Sequence, residues 1–436
     1  MSSLSRRGVA ALCLLSACLD QRAGRLADGA ASRDTTDAAD AADAHGTVDL
    51  AVADTPVAEV ATTARFIVHE WGTFTSVQGS TGASVAGLHH EDEALPTWVH
   101  RRNLTDRNNY YFEALPEEPL QQLETPVIYF HAPERMDVRV VVDFPEGVVS
   151  QWYPEATTFA PALEELTEVG QGSMTWEVTV DPAIDPTTFL PVSPDEIWAP
   201  SRDVAATPIE ADTPWGIQRE RFVFYRGLGA FDLPVRVLAP SDERLVVRNE
   251  AREALAEVVL LRSSATGGAV VSLGALSPGA AREVAVPAER PGRAAFEGEA
   301  REVLLAAIMA TGLYADEARA MVDTWTRSWF GNEGLRILYM VPRSWTDALL
   351  PIVVEPAPDE LVRTLVGRIE IMTPGVEAAT RAAIEGLPAT PSQGALEALV
   401  DRLGRFAEPR VRRALELDAG LGAGGRMLLE AAHARP

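Results

Sequence analysis

Lysine is absent from this sequence of 436 residues, so all 38 basic side chains are arginine. A P-loop, a Schiff-base enzyme, a Ser-Lys dyad and a protein-kinase core each need a lysine amine or ammonium group. The absence of lysine therefore excludes these four classes of function.

Cysteine is almost absent as well, since the chain has only Cys13 and Cys18, both near the N-terminus. They lie in or directly after a short apolar run, residues 8–17, that follows Arg6 and Arg7. Such a run is too short to span a bilayer and is typical of a signal-peptide core. The sequence predicts an exported protein by the general or the twin-arginine route, and a cytosolic protein with an apolar N-terminus is the alternative.

The end of this run, Leu15 to Cys18, reads Leu-Ser-Ala-Cys and resembles the lipobox of bacterial lipoproteins. The resemblance implies that residues 1–17 are removed as a signal peptide and that Cys18 carries the lipid. Leu19 follows the cysteine in place of the aspartate of an inner-membrane retention signal, which favours the outer membrane of the cell envelope. The mature chain then has no thiol for a disulfide, a metal or nucleophilic attack.

The charge is strongly one-sided, with 63 acidic against 38 basic side chains and a net charge of −25. This balance argues against nucleic acid and anionic membrane surfaces as partners. The predicted membrane contact is the lipid anchor alone, and the expected partner is an envelope protein or a small ligand that the sequence does not identify. The acidic charge itself is explained by solubility.

Residues 18–64 consist largely of Ala, Asp and Thr and contain hardly any aromatic side chain. A segment of this composition cannot bury enough apolar surface to offset the entropy cost of ordering. It predicts a disordered tether. The folded part should then begin near residue 65, and the chain length predicts more than one domain.

Short runs of alternating apolar residues, separated by turn residues, fill residues 137–290. This pattern predicts an antiparallel, immunoglobulin-like β-sandwich without a disulfide. Residues 65–136 should pack on the sandwich, 291–372 should form an α/β region with a tryptophan-rich helix, and 373–436 a helical tail. The predicted fold class is thus mainly β with α additions, with a helical pair after the sandwich.

The tryptophan-rich helix is predicted at residues 314–330, where Met321, Trp325 and Trp329 fall on one face. They are interpreted as core residues, and stacking of a sugar on the two indoles is the alternative. In the tail, Thr373 and Thr390 each precede a proline and are candidate helix N-caps.

Histidine and carboxylate side chains are concentrated between residues 69 and 131, although no spacing motif joins them. The HExxH pattern is not completed after His69 or His90, and GxSxG and a full GxGxxG are missing. Imidazole and carboxylate together suit a divalent transition metal such as zinc. The candidate metal ligands are His69, His89, His90, Glu124 and His131.

Glu70 is the candidate catalytic residue, as a base or as a group that orients a ligand. Neighbouring residues of a strand face opposite sides, so His69 and Glu70 should not reach one ion together unless a bulge at Gly72 intervenes. A pair of Glu70 with Glu124 or Asp92 could instead perform acid–base catalysis. Hydrogen bonds without any ion are the structural alternative.

The segment His69 to Val77, HEWGTFTSV, with ETPVIYF downstream and the tryptophan-rich helix, resembles a family of uncharacterised bacterial envelope proteins over about residues 65–372. The resemblance implies no activity. The leading hypothesis is a tethered binding or scaffolding module of the cell envelope. The rival hypothesis is a metal-dependent hydrolase with its site in residues 69–131.

Overall fold

The computed structural model describes residues 65–88, 94–102, 119–162 and 169–433. The predicted signal peptide, the tether, Cys18, His89 and His90 lie outside these residues. The structure is mainly β with several sheets and C-terminal helices, as the sequence predicts at this level.

The strands cover much of the chain between residues 67 and 371. They are β1 (Ile67–Gln78), β2 (His100–Arg101), β3 (Gln121–His131), β4 (Met136–Phe144), β5 (Gly147–Tyr153), β6 (Thr158–Ala160), β7 (Gly172–Val180), β8 (Ile209–Thr213), β9 (Gly216–Glu220), β10 (Phe222–Gly229), β11 (Val235–Ser241), β12 (Arg244–Asn249), β13 (Leu255–Ser263), β14 (Gly267–Leu276), β15 (Ala281–Ala285), β16 (Arg290–Pro291), β17 (Gly334–Met340), β18 (Ile352–Glu355) and β19 (Glu360–Ile371).

Eight α-helices lie among the described residues, one short helix between β7 and β8 and seven after residue 290. They are α1 (Ala199–Arg202), α2 (Arg293–Met309), α3 (Ala315–Trp325), α4 (Arg343–Leu349), α5 (Pro374–Glu385), α6 (Gln393–Leu403), α7 (Ala407–Leu417) and α8 (Gly422–His433). No helix in the described ranges is both long and apolar enough to cross a membrane.

Among the described residues, the strands form three sheets. The largest has ten strands in the order β16-β14-β13-β17-β19-β1-β3-β10-β5-β2. A second sheet has the order β18-β4-β7-β8-β9, with β6 also paired to β7, and a third has the order β11-β12-β15. The segment 137–290 supplies strands to all three sheets, so its predicted limits do not coincide with the limits of any sheet.

Strand β1 lies inside the large sheet and pairs with β3 on one side and β19 on the other. The pair with β3 is antiparallel, but the pair with β19 is parallel, and both β1 and β19 lie outside residues 137–290, for which the sequence predicts antiparallel pairing. A parallel pair needs a crossover connection, and here it joins segments almost three hundred residues apart. Periodicity within each segment carries no information on such a distant partner.

Two apolar cores cover the two faces of the large sheet. One contains side chains from all three sheets, including Val68, Ile128, Val140 and Val237. The other packs the opposite face of the large sheet against α2 and α3. With both faces covered, eleven of the twelve residues of β1 are buried, so its polar side chains need partners inside the protein.

The tryptophan-rich segment forms α3 and a π-helical turn, Thr326–Gly331. Met321, Trp325 and Trp329 are fully buried in the core between this segment and the large sheet, which confirms their predicted role. A stacking platform for a sugar would require exposed rings, so that alternative is wrong.

The C-terminal helices have their own apolar cluster. Thr373 caps α5 through a bond from the backbone N–H of Val376, with Pro374 at the start of the helix, as predicted. The prediction for Thr390 is wrong, because Ser392 caps α6 and accepts from the N–H of Ala395.

Candidate metal centre

Two of the predicted ligands, His69 and His131, meet on one face of the β1–β3 pair. In the register of this pair, His69 lies opposite Tyr129 and His131 lies opposite Ile67. His131 is therefore the diagonal neighbour of His69, two residues away along the antiparallel ladder, and both side chains point to the helical layer.

The third member of the group is Glu317, which lies in the first turn of α3. Its Oε2 accepts a hydrogen bond from Nδ1 of His69 at 2.7 Å, and its Oε1 accepts one from Nε2 of His131 at 2.8 Å. The backbone N–H of Tyr314 also donates to Oε2, at 2.8 Å. These three residues, His69, His131 and Glu317, are called the His–Glu centre below.

The His–Glu centre is enclosed. The side chains of Glu317 and His69 are 0% and 1% exposed, and that of His131 is 16% exposed. The ring of Tyr314 covers both imidazoles, with centroid distances of 4.5 Å to His69 and 4.9 Å to His131. Solvent can therefore approach from the side of His131 and Tyr314.

Burial opposes ionisation of Glu317, but the hydrogen bonds from His131 and His69 outweigh it and hold the pKa of the carboxyl below its usual value. The pKa of the Tyr314 hydroxyl is raised, first by burial and then by the negative charge of Glu317. The centre thus has an ionised carboxylate between two imidazoles. The Nε2 atom of His69 is buried and has no hydrogen-bond partner among the described residues.

One ligand atom from each of the three residues lies within 4.8 Å of the other two. Two histidine nitrogens and a carboxylate oxygen form a donor set that zinc and related divalent metals accept. Ligand atoms about 2.1 Å from a tetrahedral ion are about 3.4 Å apart. The pairs of Glu317 with His69 and with His131, now 2.7 and 2.8 Å apart, would therefore have to separate by about 0.6–0.7 Å. The residues fit an ion with a small local adjustment.

Glu317 lies outside residues 69–131, but its position on the predicted tryptophan-rich helix marks it in the sequence. It stands four positions before Met321, on the apolar stripe that predicts the tryptophan-rich helix. A carboxylate on the buried face of an amphipathic helix requires a partner. The position of Glu317 therefore predicts a histidine or arginine partner on the surface that the helix covers.

Glu70 points to the opposite face of β1, as strand alternation predicts, and is not part of the His–Glu centre. Its Oε1 accepts from the hydroxyl of Tyr225 at 2.5 Å, and its Oε2 accepts from Nε of Arg363 at 2.5 Å. Arg363 also donates to Asp347 at 2.9 Å. The hypothesis of Glu70 as a base or orienting group for the metal is therefore corrected, because its carboxylate is part of a buried ion pair.

Glu124 also lies away from the centre and forms an ion pair with Arg405. It faces Thr73, four residues along β1 from His69, which corresponds to about 13 Å at the rise of a strand. The predicted irregularity at Gly72 exists, but the extra residue lies in β3, where Thr125 adopts a positive φ of 45°. The bulge therefore does not turn Glu70 towards His69.

His100, also in the predicted cluster region, lies elsewhere in the sheet. Its Nδ1 is 3.0 Å from Oε2 of Glu155, and its Nε2 is 3.1 Å from Oε1 of Gln218. His100 is thus a histidine with a carboxylate partner outside the His–Glu centre.

No family model matches the chain, and no curated protein matches its sequence. The yeast delta-COP-I mu-homology domain complexed with the Dsl1 WxWxV peptide aligns at 9% identity and a TM-score of 0.25, over 70% of this chain and 96% of that chain. The same yeast domain without the peptide aligns at 8% identity and a TM-score of 0.24, over 70% and 95%. The Amycolatopsis orientalis exo-chitosanase CsxA aligns at 13% identity and a TM-score of 0.10, over 56% and 25%. Similarities this weak establish no shared fold and transfer no function.

Proposed function

We propose that this protein is a lipid-anchored binding or scaffolding protein of the cell envelope, and that the His–Glu centre binds a divalent transition metal that stabilises its fold. The anchor is supported by the sequence at Cys18 and the acidic tether after it. The metal is supported by one structural observation, the convergence of three ligand atoms within 4.8 Å.

We also propose that the sheets form an immunoglobulin-like β-sandwich. One apolar core joins the large sheet to the two smaller sheets, which supports a β-sandwich. The immunoglobulin-like assignment rests on the spacing of short strands in the sequence. An experimental structure that shows the sheets facing each other with Greek-key connections would support it, and any other connectivity would refute it.

A structural role for the ion follows from where its ligands lie. His69 and His131 belong to adjacent strands of the large sheet, and Glu317 belongs to the start of α3. An ion held by all three would connect the sheet to the helical layer, in addition to the apolar contacts of that core. Binding to the folded state alone stabilises a protein by mass action.

The metal is tested with the full chain purified in detergent, treated with a chelator and titrated with zinc. We expect one zinc per chain by elemental analysis and a rise in the thermal midpoint with zinc concentration. His131→Ala should reduce zinc affinity by at least about tenfold, and Glu317→Gln should do the same, since loss of one ligand removes a large share of a three-ligand site. His100→Ala is the matched control and should bind zinc like the unmodified chain.

Stoichiometric zinc that persists in both centre variants would place the metal elsewhere. Absence of zinc binding to the unmodified chain would refute the metal and leave the His–Glu centre as a hydrogen-bonded structural group. Manganese and iron are tested in the same titration because the donor set also accepts them.

A metal-dependent hydrolase is the second candidate. It is favoured by the ligand set, since two histidines and one carboxylate leave a coordination position open for water, as in hydrolytic zinc sites. The half-exposed Tyr314 and the partly exposed His131 would form the entrance. Zinc-dependent cleavage of activated esters that is lost in Glu317→Gln would favour this candidate, and zinc binding without turnover would favour the structural role.

The anchor is tested by Cys18→Ala. We expect the variant to leave the membrane fraction or to retain its signal peptide, because the thiol is the site of acylation. Membrane partition and mass equal to those of the unmodified chain would refute the anchor, whatever the result of the zinc titration.

A further inference from the structure

A second site, independent of the His–Glu centre, is indicated by a cleft of about 760 Å³ lined on one side by the large sheet and on the other by the C-terminal helices. Ser263, Leu335 and Met372 line the sheet side. Phe406 and Arg410 line the helical side. This space is called the Arg410 cleft below.

Arginine is concentrated in the lining of this cleft, in a chain that is otherwise strongly acidic. Four arginines contribute, and two of them have partners inside the protein. They are Arg262, Arg402, Arg405 and Arg410. Arg262 donates to the carbonyl of Pro287 at 2.9 Å, and Arg405 pairs with Glu124.

The carboxylates of the lining are mostly engaged as well. Asp242 accepts from the N–H of Gly375 at 2.7 Å, and Glu289 accepts from the hydroxyl of Thr266 at 2.7 Å. Glu370 accepts from Nε of Arg336 at 2.7 Å and from Nε of Arg368 at 2.8 Å. These carboxylates are therefore already compensated by neighbouring donors.

Arg410 differs from Arg262 and Arg405. It is half-buried in α7, and within the described part of the chain its guanidinium makes no hydrogen bond and no close ion pair. Burial lowers the pKa of Arg410, and the more distant charge of Glu370 opposes that effect. A partly dehydrated guanidinium with free donors gains from an oxyanion, because its planar fork matches phosphate and carboxylate oxygens.

The lining also provides an apolar surface next to the charge. Its partly exposed apolar residues are Val286, Leu335 and Val376. Phe406, by contrast, is only 6% exposed. The guanidiniums of Arg368 and Arg405 lie 5.4 and 5.5 Å from the centroid of the Phe406 ring. Such a combination suits a ligand with an anionic head and an apolar body.

We propose that the Arg410 cleft binds a small organic anion, with a phosphate or carboxylate group at Arg410 and an apolar body against Leu335. Arg402, in the last turn of α6 on the same lining, adds positive charge at the entrance. The site is distinct from the His–Glu centre and needs no metal.

The test is calorimetric titration of the full chain with phenyl phosphate and benzoate at constant ionic strength, with phenol as the neutral probe. We expect saturable binding of one anion per chain, and weaker or no binding of phenol. Arg410→Gln should weaken anion binding by about ten- to a hundredfold, the effect of losing hydrogen bonds from a charged donor. Arg319→Gln, which changes an exposed arginine of α3 outside the cleft, is the matched control and should leave binding unchanged.

Because the guanidinium of Arg410 makes no hydrogen bond and no close ion pair with a described residue, its replacement should not lower the thermal midpoint without ligand. A folded Arg410→Gln variant that binds the anions as well as the unmodified chain would overturn the proposal. So would equal binding of phenol, or the absence of saturable binding by either anion. A preference between phenyl phosphate and benzoate identifies the head group.

Discussion

The two faces of strand β1 provide partners for their buried polar side chains in different ways. His69 and Glu70 are adjacent in the sequence and both are completely buried. Glu70 meets a permanent cation, Arg363, and a hydroxyl donor, Tyr225. His69 meets the carboxylate of Glu317, which it shares with a second histidine.

The difference lies in the chemical nature of the partners on each face. The Glu70 face has a fixed charge pair, since an arginine does not lose its proton in a protein, and both carboxylate oxygens are engaged. The His69 face consists of two imidazoles and a carboxylate, the donor set of the proposed metal site, and Nε2 of His69 has no hydrogen-bond partner among the described residues. Burial alone therefore does not distinguish a closed ion pair from a candidate metal site, but the chemical identity of the partners does.

The largest effect is expected on the Glu70 face. Glu70→Ala should lower the free energy of unfolding by about 3–5 kcal/mol, because it leaves the guanidinium of Arg363 buried with one carboxylate partner fewer. Urea unfolding measures the change. In the matched double variant, Glu70→Leu with Arg363→Met, most of the stability should return, because neither charge is buried. A loss in Glu70→Ala below about 1 kcal/mol, the range of surface pairs, would show that the pair is not an important contributor to stability.

A smaller effect is expected on the His69 face. Glu317→Gln should lower the free energy of unfolding of the metal-free protein by about 1–3 kcal/mol, because an amide has one acceptor oxygen for three donors. With saturating zinc, the difference between the unmodified chain and Glu317→Gln should widen, since the variant loses a ligand. If this difference in stability were equal with and without zinc, Glu317 would not be a zinc ligand, and the two faces would not differ in metal binding.

Tyr225→Phe is expected to lower the stability modestly and separates the contribution of the hydroxyl from that of the ion pair on the Glu70 face. It removes one donor to Glu70 but leaves the contact with Arg363, so we expect a loss of about 1.5 kcal/mol, near the low end for hydrogen bonds to charged groups. Thermal unfolding at constant pH measures it. An effect as large as that of Glu70→Ala would mean that the hydroxyl, rather than the ion pair, carries the stability of this face.

The smallest effect concerns the pH dependence of stability that arises from Glu377, a residue of α5 that contacts Ser80 just after β1. Glu377 accepts from the backbone N–H and hydroxyl of Ser80 and from Nε of Arg413. Burial raises its pKa, but these bonds outweigh burial and leave the pKa below the ordinary value of 4.5. Because the folded-state pKa is lowered, this stabilisation is complete above pH 4.5 and is lost as the pH falls through the folded-state pKa.

We therefore expect Glu377→Gln to flatten the dependence of the unfolding free energy on pH below pH 4.5. The reason is that the variant should take up as much as about one proton fewer on unfolding. Urea midpoints measured across this range in the variant and the unmodified chain give the slope. Parallel curves would show that the contacts of Glu377 do not depend on its charge.

Local patterns in the sequence predict local structure well in this chain. The strand that carries His69 and Glu70, the tryptophan-rich helix and the cap at Thr373 all follow from periodicity and capping within a few residues. The opposite orientation of His69 and Glu70 follows from strand geometry in the same way. Thr390 shows the limit of such signals, since two nearby cap candidates compete and the structure uses Ser392.

The candidate site is predictable only in part, because its members come from distant segments. His69 and His131 lie on adjacent strands and could be paired from the sequence. Glu317 is separated from them by more than 180 residues. Arg363, the partner of Glu70, is 293 positions away, and nothing near Glu70 indicates it.

The sequence by itself determined the classes of elements and the need for buried partners, since a strand covered on both faces cannot leave histidine or carboxylate uncompensated. Tertiary structure alone decided which partner each residue received. The parallel pairing of β1 with β19 brings Arg363 to Glu70, and the packing of α3 on the sheet brings Glu317 to His69 and His131. The physical reason is that the partner is selected by the three-dimensional arrangement of sheets and helices, which depends on the summed packing of many side chains rather than on any local pattern.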